Sequence, residues 1–114
     1  MTTRLIDSAT KSATSAFRKK LDHHFQVRQT LLFGSRARRD HHNESDADVA
    51  VLLTGLPGKF IETKFAMDDL AYEVLLDSGI RIQPLPIWQT EWDHPEQYSN
   101  PELLRNIQRE GILL

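Results

Sequence analysis

The chain has 114 residues, 39% of them hydrophobic and 26% charged, with a net charge of −2 and no cysteine. This is the composition of a compact globular protein, read here as one domain over residues 1–114, and it excludes disulfides and cysteine-ligated zinc or iron–sulfur sites. The small net charge argues against general nucleic-acid binding, and the longest apolar run, Val49 to Leu53, is far too short to cross a membrane.

The first twenty residues lack the apolar core of a secretory signal, so a cytoplasmic location is the default expectation. Ser8 is placed to cap a helix running to about Leu21, with Ala9, Ala13, Phe17 and Leu21 on one face. Val27 to Phe33 reads as a strand whose apolar run Leu31-Leu32-Phe33 suggests burial on both sides. Gly34 and Ser35 end it, and Ser35 caps a short helix over Ala37 and Arg38. After the polar loop 40–45, alternation resumes, with Asp46, Asp48 and Ala50 on one face and Ala47, Val49 and Val51 on the other.

A turn at 54–58 leads into a second amphipathic helix, marked by Ile61, Phe65, Leu70 and Val74 and stopped at Asp77-Ser78-Gly79. Ile80, Ile82, Leu85 and Ile87 suggest a third strand, at an edge or bulged because Pro84 and Pro86 have no N–H to give a ladder. A loop containing Pro95 follows. Asn100 then caps a last helix with Pro101 in its first turn, and Gly111 ends it. This order indicates an α/β (α+β) fold, a small mixed β-sheet covered by helices.

The stretch from Leu31 to Leu53 carries the chemistry. A strand that delivers Gly34 and Ser35 to a helix start offers backbone N–H groups to a phosphate, and glycine lets the backbone come close. Ser35 adds a hydroxyl donor, and Arg36 and Arg38 add charge-assisted contacts. Asp46 and Asp48 point the same way from a strand, roughly 6–7 Å apart along the chain. Two carboxylates so spaced suit one hard cation or a pair of them, which would bridge triphosphate oxygens.

Gly34-Ser35, ten residues, then Asp46-Ala47-Asp48 resembles the signature of the polymerase-beta-like nucleotidyltransferase superfamily. The flanking Leu32-Phe33, Arg36-Ala37-Arg38, Ser45 and the closing Leu103-Leu104-Arg105-Asn106-Ile107 are similar to the minimal nucleotidyltransferases, the MntA-type antitoxins paired with a helical HEPN protein. The resemblance implies a nucleoside triphosphate substrate, most simply ATP, with Gly34, Ser35, Arg36 and Arg38 binding the nucleotide. It implies Mg2+ on the catalytic pair Asp46 and Asp48, and transfer of a nucleoside monophosphate to a hydroxyl of a HEPN-type partner. Two departures stand out: Arg39 where such proteins commonly have glycine, and Arg81 and Gln83 where a later strand usually offers a third carboxylate. That second departure gives the alternative of a degenerate antitoxin that masks its toxin without turnover. A small-molecule modifier is a third reading, but it usually needs an additional helical domain that only a homo-oligomer could replace.

Other features have plainer readings. His23, His24, His41 and His42 are adjacent pairs on polar segments, a poor arrangement for zinc. Trp88 and Trp92, four apart, read first as a satellite core contact and second as an exposed partner-binding patch.

Overall fold

The computed structural model describes residues 6–114. Helix α1 spans Ser8–Asp22. Its cap is Asp7, whose carboxylate accepts from the Thr10 N–H at 3.2 Å, so Ser8 is the first helical residue rather than the cap. Ala13, Phe17 and Leu21 are buried as the period predicts, but Ala9 is exposed and Thr10 and Thr14 turn inward instead. Thr14 satisfies its hydroxyl on the Thr10 carbonyl at 2.9 Å.

Strand β1 (Val27–Phe33) runs into the four-residue helix α2 (Ser35–Arg38), and strand β2 (Ala47–Leu53) follows the polar loop. Helix α3 (Phe60–Ser78) ends on Gly79, which adopts the left-handed conformation and donates its N–H to Leu75 O at 2.8 Å. Strand β3 covers Ile82–Trp88. A short helix α4 (Gln89–Asp93) and a 3₁₀ turn (Pro95–Gln97) fill the segment that the sequence presents as a loop. Helix α5 (Pro101–Glu110) begins on the Asn100 cap, which accepts from the Leu103 N–H, and Gly111 stops it. A two-residue strand β4 (Ile112–Leu113) closes the chain, and nothing in its length or pattern announces it.

The four strands form one mixed sheet in the order β3-β2-β1-β4. β1 is antiparallel to both β2 and β4, while β2 and β3 are parallel, joined by α3 as the crossover. β3 lies at the edge and pairs with β2 from Ile82 to Trp88 despite Pro84 and Pro86. Alternation on β2 splits the core in two. Ala47, Val49, Val51 and Leu53 face Phe17 and Leu21 of α1 and Met67, Ala71 and Val74 of α3. Ala50 and Leu52 face Leu104 and Ile107 of α5, with Leu31 and Ile87 beside them.

The inward face of α3 is therefore Met67, Ala71 and Val74, whereas Ile61 and Phe65 point to solvent. Trp88 is buried in the first cluster and Trp92 packs against the second, which answers the tryptophan question in favour of core contacts. No described helix is long and apolar enough to cross a membrane.

Candidate active site

The candidate site forms where β1 ends and β2 and β3 begin. Phe33, the last residue of β1, pairs with Asp48 across the antiparallel ladder, so the chain turns into α2 directly beside that carboxylate. The turn is made by Gly34 at φ 75°, ψ −157°, a backbone conformation open essentially to glycine alone. There is a second reason for glycine. A Cβ here would overlap Asp48 Oδ2 and lie 3.2 Å from its Cγ. The carboxylate of Asp48 rests on the bare Cα of Gly34, which couples the two halves of the motif physically.

Ser35 is the first residue of α2 and Gly34 is its cap residue, so the capping role expected of Ser35 falls to its neighbour. The Gly34 carbonyl accepts from the N–H groups of Ala37 and Arg38, both at 3.1 Å. The first N–H groups of the turn keep no intrahelical partner and remain available to an anion. Arg39 ends the turn in the left-handed conformation, φ 63°. This is the physical reason glycine is common at that place, because a Cβ is strained there.

Asp48 lies on the same face of β2 as Ala50 and Leu52, at the end of the sheet beyond the α5 core. Its carboxyl titrates above the ordinary aspartate range, chiefly because it is half-buried and further because Asp46 is close; Arg38 opposes the shift. Asp48, which abuts Gly34, thus feels the charges of both Asp46 and Arg38. Among the described residues, neither aspartate takes a hydrogen bond or salt bridge from the protein. Arg38 itself is exposed and bonds Asp40 at 3.1 Å, with Glu110 at 3.9 Å.

Arg36 is not brought to this place. Its side chain is 3% exposed and turns inward. It donates to Ser45 O at 2.9 Å, Asn43 O at 3.2 Å and Thr10 Oγ1 at 2.9 Å, and lies 3.8 Å from Asp7 Oδ2. Every edge of the guanidinium is engaged, so it fastens the loop before Asp46 to the start of α1. Asp7 completes the clamp. Burial pushes its carboxyl upward, but hydrogen bonds from Thr10 and the charges of His41 and Arg36 outweigh that, and its pKa falls below the usual value. His41 Nε2 lies 3.4 Å from Asp7 Oδ2, so this histidine serves the clamp. The sequence carries no signal for these anchors beyond the two threonines interrupting the apolar face of α1.

The parallel register of β2 and β3 sets Gln83 directly beside Asp48, on the same face. A third carboxylate would belong at that position, and an amide stands there. Asp77 sits exposed in the last turn of α3, which packs on the other face of the sheet, and does not replace it. Among the described residues, no group of three or more histidines or acids comes together. A cavity of about 490 Å³ lies elsewhere, between α1 and the β1–β4 edge. The acidic pair instead opens at the end of the sheet, which suits a ligand as large as a triphosphate.

A mixed sheet that feeds a glycine turn into a helix, with paired carboxylates opening the neighbouring strand, defines the nucleotidyltransferase class of fold. The sequence profile of the family named "Polymerase beta, Nucleotidyltransferase" matches residues 16–114. The chain belongs to this family. A crystal structure from Sulfolobus solfataricus, provisionally assigned as a nucleotidyltransferase, superposes with a TM-score of 0.53 at 18% identity, covering 94% of this chain and 86% of that one. This likeness supports the fold. No curated protein matches the chain.

Family membership supports nucleotidyl transfer in general, and such proteins usually use divalent metals. Asp46 and Asp48 fit a hard cation: they are two oxygen ligands two residues apart, and the charge of Asp46 helps to hold the Asp48 carboxyl above its ordinary range, a cost that a bound cation would relieve.

Proposed function

We propose that this chain is a minimal, MntA-type nucleotidyltransferase that moves AMP from ATP to a hydroxyl of a HEPN-type protein partner in the cytoplasm, acting as one domain and as the antitoxin of the pair. The observation that carries the reading is the packing of the Asp48 carboxylate on the bare Cα of Gly34, with Asp46 beside it. This contact sets the phosphate-facing turn and the metal-facing acids a fixed distance apart.

The backbone at Gly34 and Ser35 and the hydroxyl of Ser35 would hold the triphosphate, and Arg38 would offset its charge from the open side. Asp46 and Asp48 would hold Mg2+, which when bound neutralises phosphate charge and polarises the α-phosphorus. The strand fixes Asp48, while Asp46, just before its first residue, is steadied by the Arg36 clamp on Asn43 and Ser45. The acceptor oxygen forms its bond to the α-phosphorus as the bond to pyrophosphate breaks, and its proton passes to water.

A second reading is favoured by Gln83 beside Asp48: an antitoxin that masks its partner without turnover. Purified protein is incubated with Mg2+ and each labelled triphosphate, with and without the product of the adjacent gene. Label on that product, lost in Asp46→Ala, supports transfer. A stable complex without label from any triphosphate favours masking.

A further inference from the structure

Helix α3 has two apolar faces, and only one of them meets the sheet. On the outer face Ile61, Phe65, Tyr72 and Leu76 are 59%, 63%, 59% and 68% exposed. At 100° per residue these four fall within about 60° of one another, a straight stripe roughly 22 Å long. Four such side chains leave on the order of 500 Å² of apolar surface open, as large as the largest patch expected on a monomer. The inward face, Met67, Ala71 and Val74, lies on the other side of the helix, so the stripe does not belong to the core.

Charge says what fits there. The helix carries five acids, Glu62, Asp68, Asp69, Glu73 and Asp77, against the single cation Lys64. Lys64 is taken up by Asp68 at 2.7 Å. Glu62, Asp69 and Glu73 fall within about 40° of one another and form one flank of the stripe. Lys59 and Lys20 lie 3.7 Å and 3.3 Å from Glu62 and Glu73, both at exposed positions where such pairs contribute little. An antiparallel two-fold pairing of two copies through the stripe would set this acidic flank against itself, a parallel one would offer it only Lys64, already taken up by Asp68, and an anionic membrane surface would meet the same repulsion.

We infer that the outer face of α3 is a docking surface for a partner helix bearing an apolar stripe flanked by lysine or arginine. Apolar packing supplies the contact and the flanking charges choose the partner, as in paired helices whose edge positions are charged. The surface covers the side of the sheet opposite the acidic pair, so a helix docked on α3 leaves Asp46 and Asp48 open. The inference therefore stands apart from the proposed activity.

Two synthetic helical peptides test it, alike in a Leu/Phe stripe with the spacing of α3 but flanked by lysine in one and glutamate in the other. Fluorescence anisotropy should show the lysine peptide binding at least tenfold more tightly. Phe65→Ser/Tyr72→Ser should weaken it at least tenfold, with circular dichroism and Tm unchanged because both side chains are exposed. Asp69→Lys/Glu73→Lys should reverse the peptide preference, and Asp46→Ala/Asp48→Ala should leave it intact. Equal affinity for both peptides, or binding of neither, would overturn the inference. So would a homodimer in sedimentation that Phe65→Ser/Tyr72→Ser dissolves, or binding to phosphatidylglycerol vesicles that the same variant abolishes.

Discussion

Two arginines of one four-residue helix should respond to truncation in opposite ways. Arg36→Ala removes three hydrogen bonds made by a buried guanidinium, at 2.9, 2.9 and 3.2 Å, and its approach to Asp7 at 3.8 Å. Hydrogen bonds to charged groups contribute about 1.5–3 kcal/mol each, and the lower end applies because the carbonyls of Asn43 and Ser45 lie near water and regain it. Losing one partner of a buried charged network costs about 3–5 kcal/mol, which agrees with three bonds at that lower end. With a urea m-value of about 1.5–2 kcal/mol/M for a chain of this length, the midpoint should fall by roughly 2 M. Arg38→Ala removes only exposed pairs and should cost less than about 1 kcal/mol, yet lower transfer by loss of charge beside the phosphates. Arg36→Lys should restore little, because one ammonium cannot span three divergent acceptors. Urea unfolding of the three variants beside wild type reads all of this. An Arg36→Ala midpoint within 0.5 M of wild type, taken as roughly 1 kcal/mol, or an Arg38→Ala protein less stable than Arg36→Ala, would refute the assignment of Arg36 as the clamp.

Gly34→Ala should lower Tm and abolish labelling together, because its Cβ meets Asp48 and its φ is positive; a cost of about 1–3 kcal/mol is expected, and a variant with wild-type Tm would contradict the packing. Asp48 binds its proton more tightly in the folded chain than an ordinary aspartate, whose pKa is 3.8, so its ionised form subtracts stability above the folded pKa, a penalty that disappears as pH falls through that value. Asp48→Asn should thus stabilise the metal-free protein at pH 7, by under about 1 kcal/mol since solvent screens a half-exposed group, with the gain fading as pH falls through the folded value and absent below 3.8; a variant with a lower Tm than wild type at pH 7 would show the sign to be wrong. Asp7 has the opposite sign: its lowered pKa gives stability that is present above 3.8 and lost as pH falls through the folded value, so an Asp7→Asn protein should differ most from wild type at neutral pH in thermal scans across pH. Gln83→Asp places an acid beside Asp48 and should raise magnesium-dependent labelling about tenfold or more, while unchanged labelling would mean that the missing carboxylate does not limit the chain.

What the sequence made legible followed from local rules. β1 and β2 could be read from apolar runs, and α5 from Asn100, Pro101 and Gly111, because caps and alternation act within a few residues. Gly34-Ser35 and Asp46-Ala47-Asp48 were joined in the sequence only by their resemblance to a known signature; that Asp48 packs on Gly34 itself came from the structure. Arg36 was not legible as a clamp, because a guanidinium beside a phosphate turn and one buried in a loop look identical in one dimension. The inner face of α3 was misjudged for a related reason. With apolar residues on both sides of the helix, periodicity could not say that Met67 and Ala71 face the sheet while Ile61 and Phe65 do not. β4 was invisible because its existence depends on the free edge of β1. Gln83 was suspected from its strand, but only the parallel register set it beside Asp48.

The prolines of β3 have a consequence for how the molecule behaves in a crowded solution. Pro84 and Pro86 are two apart, so the N–H groups they lack would have faced the same way along the strand. With β3 fully paired to β2 on its other side, the missing donors fall on the rim, where a further strand would have to bond. The opposite rim is capped by a strand of only two residues. The β3 border therefore offers no full row of donors, which discourages another strand from adding there. Partners at that border are turned away from the backbone and toward the side chains of the helices.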